Sequence, residues 1–223
     1  SPEPRQVVGA VARYFLRRTA RKTWSYFTTF VTAEDHFLPP DNFQDDPAPL
    51  VAHRTSPTNM GLALLANFAA VDLGYLGLRG CVDRLERALG TMERMERHRG
   101  HFLNWYDTRS LAPLPPAYVS TVDSGNLAGV FIALKQACLR ATSLPPIGQI
   151  SEGVEDTLRL LDEAIDGSGD PALRRLRART SSFEQLLGRA PAAPTGREAW
   201  LTSLHVAASA LHAEISALAS QAD

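Results

Sequence analysis

The chain has 223 residues, of which 44% are hydrophobic and 21% charged, with a formal net charge of −1 at pH 7. These are the proportions of a globular protein long enough to bury a sizeable core. They give no reason to expect nucleic acid or an anionic membrane as partner, and no run approaches the roughly 20 apolar residues that span a bilayer.

The opening SPEPRQ lacks the features of a signal peptide, and its abruptness points to a segment cut from a longer chain. Pro4 is placed to open a first helix. From there to about Val31 the residues Val8, Val11, Phe15, Trp24, Phe27 and Phe30 recur at helical spacings. Arg17, Arg18, Arg21 and Lys22 form a basic face, read most simply as solvated. Pro39 and Pro40 stop the helix, and an irregular connector follows. Thr55-Ser56-Pro57 then gives a cap residue followed by proline at the first helical position. The helix it opens, MGLALLANFAAVDLG, is apolar on nearly every side and is expected to be buried all round.

After a short turn at Gly74 to Gly80, a third helix carries Val82, Leu85, Leu89, Met92 and Met95 on one face and charges on the other. A long second connector, about 99–123, leads to a fourth helix, NLAGVFIALKQACL, capped by Asp123 or Ser124 and again apolar nearly all round. Pro145 and Pro146 end a shorter connector. Helices follow near 150–166, 171–187 and 197–219. Asp170-Pro171 starts the second of these, and Trp200, Leu204, Ala207, Leu211 and Ile215 give the last a buried stripe. A small hairpin between Trp105–Thr108 and Tyr118–Ser120 is the only strand pairing suggested. Cys81 and Cys138 sit in apolar helical patterns without metal-ligand spacing and read as reduced, buried thiols, with a single disulfide as the alternative.

Amphipathic helices one and three thus alternate with apolar helices two and four, and the long connectors lead into the apolar ones. Both connectors end on a cap residue with Asn three positions on, at Ser56/Asn59 and Asp123/Asn126. Buried helices running parallel inside returning outer helices make an α/α toroid. Its connectors gather at one mouth, where helix N-termini leave N–H groups unpaired. The fold expected is all-α: antiparallel helical hairpins forming part of such a toroid, about seven helices in a single domain over 1–223. An ordinary helical bundle would not need connectors so unequal.

At these connectors the sequence resembles a known family. The stretches TARKTWSYFTTFVTAEDHFLPPDNFQDDPAPLVAHRTSPTNMGLALL and RGHFLNWYDTRSLAPLPPAYVSTVDSGNLAG closely resemble the cyclic β-1,2-glucan synthases. The likeness is nearly continuous over about 19–140, so that 1–143 is the family-matching part and 144–223 a set of C-terminal helices that match in character only. These synthases are very large bacterial inner-membrane enzymes. They join a glycosyltransferase, a central glycoamylase-like α/α-toroid module and a phosphorylase-like module. The resemblance implies the start of the central module, on the cytoplasmic side of the membrane, which closes linear glucan into a ring by transglycosylation. A six-hairpin barrel needs roughly twelve helices, so the ring is expected to be incomplete. The family's acid and nucleophile glutamates are expected in the missing half. Glu86, Glu93, Glu96 and Glu163 lie on charged helical faces and give no catalytic candidate.

The expected partners are therefore β-1,2-glucan and the other modules of the same polypeptide, with a homodimer or a rearranged C-terminal helix covering apolar surface left by the missing half. No cofactor and no metal is expected; His36, His53, His98 and His101 lack ligand spacing. Sugars are bound by aromatics against their apolar faces and by carboxylates, amides and Arg on their hydroxyls. Trp105 and Tyr106, flanked by Asn104 and Asp107, suit that role, with Trp105 as a plug between helices the equal alternative. His53 and Arg54 precede a helix N-terminus, where a salt bridge from Arg54 to Asp35 or Asp107 competes with sugar binding. His101, Asn59, Asn126 and Asp123 complete the candidate set, with a cap role for Asp123 and crossing hydrogen bonds between helices for the two Asn as alternatives. A non-catalytic scaffold that docks the neighbouring modules is the competing function.

Overall fold

The computed structural model describes residues 8–141, 150–166, 171–189, 191 and 195–219. The chain divides into two compact units, Ser1–Ile150 and Ser151–Asp223. The first contains, in order, α1 (Ala10–Phe30), β1 (Phe43–Gln44), β2 (Leu50–Val51), β3 (Arg54–Thr55), α2 (Pro57–Asp72), α3 (Leu78–Arg94), β4 (Arg97–His98), β5 (His101–Phe102), β6 (Tyr106–Asp107) and α4 (Thr121–Ala141). The strands are two-residue antiparallel pairs, β1 with β2, β3 with β6 and β4 with β5.

Helix α2 begins as its sequence dictates. Ser56 is extended, its hydroxyl accepts from the Asn59 N–H at 3.2 Å, and Pro57 occupies the first turn. It packs against α4 in the same direction. The Thr58 hydroxyl donates to Asp123 at 2.5 Å near the two N-termini, and Arg140 pairs with Asp72 at 2.5 Å near the two C-termini. Between these ends Gly61 lets the helices close: a Cβ there would stand 3.0 Å from Val130 Cγ2. The chain reverses through residues 73–77, with Gly74 at φ 81°, so that α3 runs back along α2. Two parallel inner helices linked through a returning outer one are the repeat of an α/α toroid. The core joins Met60, Leu64 and Phe68 of α2 to Leu85, Ala88 and Met92 of α3 and to Leu127, Val130 and Leu134 of α4.

Several expectations change. Helix α4 is not buried all round; it turns Leu127, Val130 and Leu134 to α2 and leaves Val122, Ile132 and Leu139 exposed. Leu62 of α2 is exposed likewise. In α1 the apolar set divides: Trp24 is buried and Phe27 and Phe30 are half-buried. Val8, Val11 and Phe15 are exposed, while Arg17 donates to the Leu73 carbonyl at 2.9 Å and lies with Arg21 over the Tyr75 ring. Arg17 and Arg21 thus pack, their stems covering apolar surface, while Lys22 stays exposed as expected. In α3, Cys81 and Ala88 fill the seam in place of the exposed Val82. The cap of α4 is Ser120, whose hydroxyl accepts from the Asp123 N–H at 3.2 Å; Asp123 already lies in the first turn. Cys81 is buried but Cys138 is exposed, and both are free thiols.

The second unit holds α5 (Ile150–Asp166), α6 (Pro171–Leu187) and α7 (Arg197–Ala219), on the bounds read from the sequence. Leu158, Ile165, Leu176, Phe183, Leu187 and Leu211 form its core. The Trp200 indole donates to the Leu186 carbonyl at 2.7 Å, and Arg179 pairs with Glu214. Leu204 and Ala207 pack on that core, whereas Ile215 is exposed. Pro4, Pro145, Pro146 and Asp170 lie outside the described residues.

Candidate functional site

The two long connectors meet at the N-terminal end of α2 and α4, and β3 with β6 is their seam. Arg54 stands opposite Asp107 and Thr55 opposite Tyr106. The hairpin expected between 105–108 and 118–120 does not form in that register: within its own connector Tyr106 bridges Pro113, and the two-residue strand on its other edge, Arg54–Thr55, comes from the first connector. Tyr118 instead exchanges bonds with Asn104: the Asn104 N–H donates to the Tyr118 carbonyl at 2.8 Å, and Asn104 Oδ1 accepts from the Tyr118 N–H at 3.1 Å.

Below the seam is a closed polar network. Buried Asp35 accepts from the Thr108 hydroxyl at 2.5 Å and from His53 Nδ1 at 2.7 Å. Arg109 donates to His53 Nε2 at 2.9 Å and pairs with Glu34 at 2.8 Å. The partners fix His53 as the Nδ1–H tautomer. The Thr108 N–H donates to the His53 carbonyl at 3.0 Å, and His36 Nδ1 donates to the Thr108 carbonyl at 2.9 Å. Apart from the His53–Asp35 bond, which lies within the first connector, each bond runs from one connector to the other, so the network holds the mouth in shape.

Strand alternation then sorts the candidates. Tyr106 points inward, is 0% exposed, and its hydroxyl donates to the Glu96 carbonyl at 2.6 Å while accepting from the Leu103 N–H at 2.7 Å. Burial pushes its phenol above the usual range. It is a core residue and cannot stack on a ligand. Asn104 is buried in its exchange with Tyr118. Asp107 closes a turn, accepting from the N–H groups of Ser110 at 2.7 Å and Arg109 at 3.0 Å and from the Ser110 hydroxyl at 2.9 Å. The Ser110 N–H above all, with the Ser110 hydroxyl and Arg109 adding to it against a smaller opposing effect of burial, holds its carboxyl below the ordinary range. His101 is exposed in the β4–β5 hairpin, opposite His98.

What remains accessible is a strip across the helix N-termini. Trp105 is half-buried, with the Arg54 guanidinium 5.0 Å from its ring centroid. Arg54 donates through Nε at 3.1 Å and Nη2 at 2.9 Å to one oxygen of Asp41, and the Asn59 amide donates to the other at 3.3 Å. Next to Asn59, the Thr58 hydroxyl bonds Asp123 and accepts from Asn126 at 3.1 Å. Asn126 thus makes the crossing bond between helices, whereas Asn59 reaches the connector.

No family model matches the chain. Among curated proteins it is 42% identical over 213 residues, 92% of its length, to the cyclic β-(1,2)-glucan synthase NdvB of Rhizobium meliloti (strain 1021). The chain is homologous to a segment of the cyclic β-(1,2)-glucan synthases. It spans 7% of the length of that relative. A solved structure of a glucoamylase-like protein from Bacteroides fragilis NCTC 9343 aligns with 82% of the chain and 37% of its own, at 16% identity and a TM-score of 0.39.

Sequence reasoning misses Asp41 as the partner of Arg54, naming Asp35 and Asp107 instead. Asp35 serves His53 and Thr108, and Asp107 serves its own turn. A signal was available: Asp41 follows Pro39-Pro40 directly, where a rigid approach would aim a carboxylate back toward the start of α2.

Proposed function

We propose that this segment forms one wall of a β-1,2-glucan-binding cleft in a cyclic β-glucan synthase and takes no covalent part in glycosyl transfer. The observation that carries the reading is the strip Trp105–Arg54–Asp41–Asn59, contiguous with Thr58, Asp123 and Asn126. It offers an aromatic face beside carboxylate, amide and guanidinium groups, the combination that sugars require. Arg54 spends two of its N–H groups' directions on Asp41, and the half-exposed guanidinium keeps others for hydroxyls. Retaining transglycosylation uses two carboxyl groups about 5–5.5 Å apart. At this end Asp41 is engaged by Arg54 and Asn59, and Asp123 by Thr58, so neither is poised as acid or nucleophile. On this reading the reacting carboxyls come from another part of the synthase, and the segment works on the cytoplasmic side of the inner membrane. No helix among the described residues is long and apolar enough to cross a membrane.

Titration of the chain with linear β-1,2-gluco-oligosaccharides, followed by the Trp105 indole N–H in NMR spectra, tests this. One wall of a cleft fixes few hydroxyls, so binding near 1 mM, about −4 kcal/mol, is expected. Absence of any shift at Trp105, together with unchanged ring formation by a full-length synthase carrying W105A, would remove the assignment. The exposed apolar residues Val122, Ile132 and Leu139 of α4 favour a second role, as a scaffold on which the rest of the polypeptide, or a second copy, packs.

A further inference from the structure

Between α1, α2, α3 and the start of the first connector lies a cavity of about 170 Å³, lined among others by Phe27, Phe37, Met60, Asn67, Arg84 and Arg87. Two features of its lining bear on what it could hold, and the first is unexplained by folding. Asn67 is 8% exposed; its amide N–H donates to the Ala63 carbonyl at 2.8 Å, but Oδ1 has no hydrogen-bond partner. Leaving a buried acceptor unpaired destabilises a fold, so such groups are rare and call for a reason. At its rim Arg84, half-buried, and Arg87, exposed, lie one turn apart on α3, stacked on the rings of Trp24 at 5.3 Å and Phe37 at 5.0 Å, and neither has a carboxylate partner among the described residues. Burial and the neighbouring Arg87 charge both disfavour the charged form of Arg84. An anion between the two guanidinium groups would relieve that repulsion and match their planar fork.

We propose that this cavity binds a small hydroxylated carboxylate, with the carboxylate on Arg84 and Arg87, the apolar body between Phe27 and Phe37, and the hydroxyl donating to Asn67 Oδ1. The size fits, since a cavity of about 150 Å³ holds a benzene ring. A neutral glucan does not fit: it brings no charge to the arginines, and its chain exceeds the volume. The site is therefore separate from the glucan-binding strip, and the two readings fail independently.

The test uses three probes, 4-hydroxybenzoate, benzoate and phenol, titrated into the chain while the Asn67 side-chain amide and the Arg84 Nε–H are followed by NMR. The result expected is saturable shifts at both groups with 4-hydroxybenzoate, about tenfold weaker binding of benzoate, and weaker binding still of phenol. R84M/R87M keeps the apolar stems and removes the repulsion, so it should fold at least as stably and bind 4-hydroxybenzoate at least about tenfold more weakly. N67L should raise the melting temperature, by removing the unpaired acceptor, and bind 4-hydroxybenzoate and benzoate alike. No saturable shift, shifts that map elsewhere, equal affinity for the three probes, or undiminished binding by either variant would overturn the proposal.

Discussion

The Thr108 hydroxyl donates to Asp35 Oδ1 at 2.5 Å, across 73 positions of chain, and so ties the second long connector to the first. Asp35 also accepts from His53, which makes one buried carboxylate the joint of the mouth. D35A should leave both donors unpaired and cost about 2–4 kcal/mol in urea unfolding, more than D35N, which keeps an acceptor. The D35A/H53A pair should be non-additive, since the two residues share a bond.

The parallel packing of α2 on α4 rests on the close approach at Gly61, where a Cβ would already meet Val130 Cγ2 at 3.0 Å. G61L should push the helices apart and cost about 1–3 kcal/mol or more by overpacking. T58V, which removes the hydroxyl shared by Asp123 and Asn126, should cost about 1 kcal/mol. Thermal unfolding of the two variants should rank them in that order.

The two cysteines should separate by reactivity. Burial, with Cys138 adding to it, pushes the Cys81 thiol up to about 11, and the side chain is fully buried, whereas Cys138 is exposed. At pH 8 the thiolate is the reacting form, so a disulfide reagent should titrate one thiol per folded chain, at Cys138. Two should react after unfolding. Fast reaction at both sites in the folded chain would contradict the buried position of Cys81.

Asp107 should contribute to the acid limb of stability. Its folded carboxyl lies below the ordinary 3.8, first because of the Ser110 N–H. A depressed folded value gives stability that is present above the ordinary value and is lost as pH falls through the folded one. D107N should therefore be less stable than the parent at pH 6, and the gap should close as the pH is taken below 3.8.

Trp105 is the residue on which the glucan reading turns. In a full-length synthase W105A should reduce ring formation at least about tenfold, corresponding to loss of one stacking contact of roughly 1.4 kcal/mol, without an equal loss of stability. Lost stability with unchanged turnover per folded molecule would make the ring a plug. W105F, which keeps a stacking face, should recover part of the activity.

Local signals were legible where one residue decides the outcome. Ser56-Pro57 starts α2 because a hydroxyl acceptor and a proline meet there, and the last three helices keep their sequence bounds. Signals that depend on a neighbour were not. The apolar circumference of α4 reads as complete burial, but burial needs a partner on each side, and among the described residues α2 supplies one. The basic residues of α1 read as solvated because nothing in their own sequence announces Tyr75 or the Leu73 carbonyl. At the site, WYDT carries the period of a strand, which would have separated Tyr106 from its neighbours. Only the pairing with Arg54–Thr55 says which side is inward.

That pairing also limits how the mouth can change length. A loop usually accepts an added or deleted residue, but a single insertion between Asn104 and Thr108, or between His53 and Ser56, would shift the register by one. Trp105 would then turn into the protein and Tyr106 out of it. The opposing Thr55 and the Glu96 carbonyl would lose the residue they are built around. Natural or engineered length variation should therefore collect at the exposed residues 115–117, between the seam and the Asn104–Tyr118 exchange, and grafts that lengthen the cleft should be made there.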